Sequence, residues 1–350
     1  MVVVIKWASF SWSLHDIHLA EKGVKTRRQS DTTAQALNPP LLEFFGYIFF
    51  TPSFFVGPAL EFPQYQNWKH RRNQYETNPY AIIPLLKTLL LGALCSAVYV
   101  RFDDAWAHKR LLDPVFVAST GFWFRLLFLQ IAGVVTRCKY YGVWKVGEVS
   151  CILSGISLSP NGVDWREAEN VDPWGLETAQ NPQAFIGHWN MFTNRFLHRN
   201  VYMRLVENGG VNKGIAQVIT KVTSAFWHGW YPGYYLTFVG AAGVTWCAGV
   251  LRKELRGLFV DSKDGQRAVW KKRKVVYDIA GWVATHSIIN YVCAPFPLEW
   301  IREGLAAWAS VGFAGHWLMA GVFVFKLVGG FTWISNFAGS HSKSRKLKTQ

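Results

Sequence analysis

A chain of 350 residues is long enough for two soluble domains or one polytopic membrane domain, and its composition favours the second. Aromatics make up 16% with 18 Trp, while charged residues reach only 17%, against about 25% in soluble proteins. The net charge of +15 would point a soluble protein toward nucleic acid, but here the basic residues gather in short loops beside apolar runs ("WKHRRN", "RKELRG", "KKRK"), the pattern of cytoplasmic loops near anionic headgroups, so no nucleic-acid partner is expected.

Read in chain order, "MVVVIKWASFSWSL" lacks the basic start and small-residue cleavage site of a signal peptide and reads as the tail of a membrane helix. Candidate spans, which need about 20 mostly apolar residues, are 81–100, 114–135, 228–251, 274–297 and 304–328, with shorter or interrupted ones at 2–14, 41–58, 139–158 and 211–227. Several are broken by Pro or Gly, as in "FFGYIFFTPSFFVGPAL". Irregular backbone at membrane depth is tolerated where it is buried in protein or lines a cavity. The pattern predicts an all-α polytopic membrane fold of roughly eight embedded helices around an internal chamber. No alternating barrel pattern appears.

The acidic stretch 158–183, rich in Asn, Pro and Gly, is expected outside the membrane core. Residues 186–205, "IGHWNMFTNRFLHRNVYMRL", mix aromatic and basic side chains as an interfacial helix does. The five cysteines are scattered without a CxxC and read as reduced core residues. One transmembrane domain over 1–335 and a basic disordered tail over 336–350 complete the expected organisation.

Polar groups at membrane depth are costly and usually mark function. His228, inside "SAFWHGWYPGYYLTF", has that position. On a helix Ser224, His228, Tyr231, Tyr234 and Tyr235 share one face, with Gly229, Pro232 and Gly233 leaving room beside it. The alternative is a packed core histidine. His188, His198, His286 and His316 also lie near membrane regions, and none has the spacing of a metal site. A neutral imidazole with no nearby carboxylate, cysteine or GxSxG elbow suits a general base that takes a proton from an attacking alcohol. Asn190, in "HWNMFTN" with Thr193 and Asn194 one turn on, carries an amide that orients a reacting group or stabilises an oxyanion, or else serves as a helix cap or turn.

"WNMFTNRFLHRNVYMRL" followed by "SAFWHGWYPGYYLTF" resembles the asparagine and histidine signatures of the membrane-bound O-acyltransferase family, in its lysophospholipid acyltransferase branch. "SFSWSLHD", "LLEFFGYIFFTPSFFVGPALEFPQY" and "RCKYYGVWKVGEVSCILSG" resemble that branch's upstream segments in the same order. The chain begins close to "SFSW", where family members carry further helices, and so reads as an N-terminally short member.

The resemblance implies that His228 and Asn190 are the catalytic pair, in an endoplasmic reticulum membrane protein. It also implies that Trp189, Thr193, Asn194, Trp227, Tyr231, Tyr234, Tyr235, Lys139, Tyr140 and Tyr141 contact substrate. The implied reaction moves a long-chain acyl group from acyl-CoA, a co-substrate, to a lysophospholipid hydroxyl, with no cofactor and no metal. Arg195, Arg199 and Arg204 are candidates for the donor's phosphates, because guanidinium forks suit phosphate oxygens. Acyl transfer to a sterol, diacylglycerol or protein, and a non-enzymatic membrane role, are the rival readings.

Overall fold

The structure, a computed structural model, describes residues 1–23, 39–71, 81–260 and 268–334, and every regular element among them is helical. The tail assigned to 336–350 and parts of the basic clusters lie outside these residues. Two helices, Ile82–Leu112 and Pro232–Phe259, are long and apolar enough to cross a membrane, or three if the pair Ile301–Ser310 and Ala314–Leu327, bent by 79°, is one span. That is fewer by this measure than the roughly eight embedded helices expected. Other long helices interrupt their apolar runs with charge, as Phe122–Leu153 does with Arg125, Arg137, Lys139, Lys145 and Glu148. The chain is an integral membrane protein.

Several expected spans change their limits. The runs at 114–135 and 139–158 are redistributed: Pro114–Ser119 is a short helix, and Phe122–Leu153 then continues unbroken for 32 residues. The break between them is held by Arg125, which donates to the carbonyl oxygens of Val117, Thr120 and Ser310. The span expected at 304–328 is bent where Phe313 enters the left-handed region, φ 52°. The stretch 158–183 is mostly irregular, with the short helix Pro173–Glu177 inside it and Pro182–Gly187 starting at its end, as expected of a loop.

The residues fall into two compact units. The first comprises Met1–Ala105, Val134–Leu176 and Ile186–Ala216. Phe10, Tyr47, Ile48 and Phe62 form a core in it. Lys6, fully buried on the Val2–Glu21 helix, donates to the Tyr47 carbonyl at 3.1 Å and to Ser53 Oγ at 3.0 Å, so its ammonium is solvated by protein oxygens. The second unit comprises Trp106–Gly133, Glu177–Phe185 and Gln217–Gln350, with a core that includes Leu129, Val244, Tyr291, Trp308 and Val311. Cys293 is half-buried and the other four cysteines are buried.

Candidate active site

His228 is the last residue of the Lys213–His228 helix, in the second unit. The helix stops there for local reasons. Gly229 takes φ +132°, which a residue with a Cβ rarely adopts. Its N–H donates back to the carbonyl oxygens of Ala225 and Phe226 at 3.2 and 3.1 Å. Pro232 then opens the Pro232–Phe259 helix, where its missing N–H costs nothing.

The single helical face expected through Ser224, His228, Tyr231, Tyr234 and Tyr235 is therefore corrected. Ser224 and His228 end one helix, Tyr231 precedes the next, and Tyr234 and Tyr235 lie within that second helix. The turn nevertheless brings Tyr234 back to the histidine, ring centroids 5.7 Å apart. Trp227 at 4.6 Å, Phe238 stacked at 5.2 Å and Phe296 edge-on at 5.1 Å complete the surround. Tyr231 packs on Tyr234 at 5.9 Å and on Trp300 at 5.7 Å rather than on the imidazole. Tyr235 is half-buried.

The other histidines are placed differently. His316 Nδ1 lies 2.6 Å from the Tyr291 hydroxyl, His188 Nδ1 is 3.4 Å from Asp172, and His286 Nδ1 is 3.7 Å from Glu177. His198 stacks on Tyr202 at 5.5 Å. Among the described residues His228 has rings around it and no ionic partner, the setting of a neutral imidazole.

Phe296 reaches His228 because Gly233 lets two backbones touch. The Gly233 N–H donates to the Glu299 carbonyl at 2.6 Å, and a Cβ on Gly233 would run into the carbonyl oxygens of Pro295 and Glu299. Gly233→Ala is accordingly expected to push the 295–299 segment away, at about 1–3 kcal/mol for an overpacked site. It should lower both the thermal midpoint of the solubilised chain and its activity. A variant with wild-type midpoint and rate would show that this contact does not hold Phe296 in place.

Asn190 belongs to the first unit and occupies the residue before the Met191–Leu197 helix. Its backbone is left-handed, φ 41° and ψ 59°, a region that asparagine enters more readily than most residues. The side chain makes no capping hydrogen bond, and the backbone carbonyl alone accepts the Asn194 N–H at 2.9 Å. Asn190 is thus a turn residue through its backbone, and its amide is not engaged in capping.

Around it the structure gathers several residues named from sequence. Trp189 packs against Tyr140 at 5.4 Å, Tyr141 at 5.9 Å and Trp144 at 4.8 Å. The Lys139 ammonium lies 5.7 Å from the Tyr99 ring centroid. Thr193 is buried, while Asn194 and Arg195 line a cavity of about 800 Å³ with Ser159, Asp164, Glu167 and Glu169.

The three arginines divide. Arg199 donates to both carboxylate oxygens of Glu61 at 2.9 and 2.8 Å, and Arg204 to both of Asp16 at 2.8 and 2.7 Å. The Arg204 guanidinium also lies 3.9 Å from the Trp12 ring centroid. Arg195 rests over Phe192 at 4.1 Å and borders the cavity. Of the phosphate candidates, two already hold carboxylates of their own unit.

Sequence reasoning passed over Phe238 and Phe296 beside His228, and Lys145, Glu148 and Asn170 beside the Asn190 turn. Lys145 and Glu148 did carry a signal. Opposite charges three residues apart in an apolar helix are too costly to be incidental. Phe296 carried none, because only tertiary contact brings it to the imidazole.

The family description "MBOAT, membrane-bound O-acyltransferase family" matches residues 3–294. A lysophospholipid acyltransferase of Schizosaccharomyces pombe is 32% identical over 330 residues, covering 90% of this chain and 63% of that protein. A lysophospholipid acyltransferase of Saccharomyces cerevisiae is 31% identical over 347 residues, covering 91% and 55%. The mouse membrane-bound glycerophospholipid O-acyltransferase 1 is 26% identical, covering 90% and 65%. The chain thus spans 55% to 65% of the length of these three relatives. The matched stretch runs through the Asn190 turn and through His228 with Trp227, Tyr234 and Phe238, and this chain belongs to the membrane-bound O-acyltransferase family.

Proposed function

We propose that the chain is a lysophospholipid acyltransferase of the endoplasmic reticulum membrane, moving a long-chain acyl group from acyl-CoA to the free hydroxyl of a lysophospholipid. The observation that carries this reading is His228 at the end of its helix, ringed by Trp227, Tyr234, Phe238 and Phe296. The names of the yeast relatives support the acceptor class.

In the proposed step His228 takes the hydroxyl proton as the acceptor oxygen attacks the thioester carbonyl. The carbon–oxygen bond forms, the carbon–sulfur bond breaks, and the proton passes to the leaving thiolate. The amide of Asn190 orients the reacting groups or donates to the developing oxyanion. No covalent enzyme intermediate, cofactor or metal is involved. Aromatic side chains around the site favour long chains, at about 0.8 kcal/mol per buried methylene, so affinity rises with length while neighbouring lengths are poorly separated.

Arg195 is the phosphate contact retained from the basic segment, since Arg199 and Arg204 are held by Glu61 and Asp16. Arg195→Gln is expected to raise the apparent KM for acyl-CoA several-fold, with the KM for lysophospholipid unchanged. Equal KM values for wild type and variant would place the donor's phosphates elsewhere.

The function is tested by incubating membranes containing the chain with labelled acyl-CoA and a panel of lysophospholipids, sterols and diacylglycerol. Label should enter phospholipid. Label in sterol ester or triacylglycerol, or in no lipid, would overturn the assignment.

A further inference from the structure

Asn190 holds its left-handed backbone inside a closed set of hydrogen bonds, all within the first unit. On one side of it the His188 carbonyl accepts the Asp172 N–H at 3.1 Å. On the other, the Met191 N–H donates to the Asn170 carbonyl at 2.7 Å, and the Phe192 N–H points to Asn170 Oδ1 at 3.4 Å. The turn that carries Asn190 is therefore strapped at both ends to residues 170 and 172.

That strap is anchored in turn. Glu148, buried on the Phe122–Leu153 helix, accepts the N–H groups of Asn170 at 2.8 Å and Val171 at 3.1 Å through one carboxylate oxygen. The other oxygen receives Lys145 Nζ at 2.6 Å, and the same ammonium donates to the Val171 carbonyl at 2.7 Å. Two opposite charges that bond each other and the backbone can be tolerated at this burial, and they fix the backbone that they bracket. Asn170 is 2% exposed and meets both the anchor and the turn.

We infer that Asn170 is a positioning residue for Asn190, its side chain and carbonyl setting the direction of the Asn190 amide, with Lys145 and Glu148 as the fixed base. This rests on the reading of Asn190 as part of the reaction. The physical reason is reach. A left-handed asparagine is strained and has alternatives, and a displacement of about 1 Å at a reacting group costs on the order of 10²-fold in rate.

The test is kinetic, on the full chain in membranes, with expression and thermal midpoint measured alongside. Asn170→Ala removes the Oδ1 acceptor and leaves both backbone bonds in place. Per folded protein, it should lower kcat about 10- to 100-fold with both KM values within about twofold of wild type, and with expression and thermal midpoint near wild type. Asn170→Asp, which restores an oxygen at the same reach, should recover most of the rate.

Unchanged kcat in Asn170→Ala would overturn the inference. So would a rate loss matched by lost folded protein, or an Asn170→Asp variant no faster than Asn170→Ala. Asn190→Ala is assayed in the same series. If it keeps its rate while Asn170→Ala loses its own, the role of Asn190 has failed, and the positioning role fails with it by a recognisably different route.

Discussion

His228→Ala is expected to abolish acyl transfer while leaving the protein in the membrane at wild-type level. A placed general base contributes about 10²–10⁴-fold, and the alcohol has no other base described around this turn. The fold loses little. The imidazole ends a helix rather than filling a core, and among the described residues its neighbours are rings and not hydrogen-bonding partners. His188→Ala and His316→Ala provide the contrast and should be milder in kcat, because those rings are bound to Asp172 and Tyr291 and serve packing. More than a few per cent of activity in His228→Ala at equal expression would remove His228 from the base role.

Asn190→Gly separates chemistry from backbone. Glycine adopts φ 41° without strain, so the variant should be at least as stable as wild type, the left-handed conformation costing other residues roughly 1–2 kcal/mol. It also lacks the amide, so its kcat should fall about 10²–10³-fold, the usual cost of a lost oxyanion donor. A thermal midpoint at or above wild type combined with that loss would assign the side chain to the reaction. A variant that is stable and fully active would leave Asn190 as a turn residue only. This substitution is more informative than alanine, which removes the amide and adds strain together.

Much of the site was legible because the chemistry was written locally. His228 among aromatics, glycines and a proline stands out without tertiary knowledge, although the spacing suggested one continuous face where one helix ends and another begins. Tyr140 and Tyr141, named with Trp189 as substrate contacts by the resemblance, both pack on Trp189. What escaped was non-local. Phe296 arrives only because Gly233 admits the 295–299 backbone, and Asn170 acts through backbone groups that composition does not advertise. Charge runs do not show which residues they pair with. Arg199 and Arg204 look alike on a sequence strip, but Glu61 and Asp16, which hold them, come from far upstream. Helix limits shifted for a similar reason, since Arg125 bonds three carbonyl oxygens at the break before Phe122 and no periodicity reports that.

The central claim is a direct transfer from thioester to acceptor hydroxyl. The purified chain in phospholipid vesicles is given acyl-CoA, and free thiol release is followed together with phospholipid formed, with and without lysophospholipid. The account predicts one thiol released per phospholipid formed, almost no release without acceptor, and no acyl group retained on the protein after quenching. Thiol release that proceeds equally without acceptor, or a stoichiometric acyl-protein adduct, would contradict it.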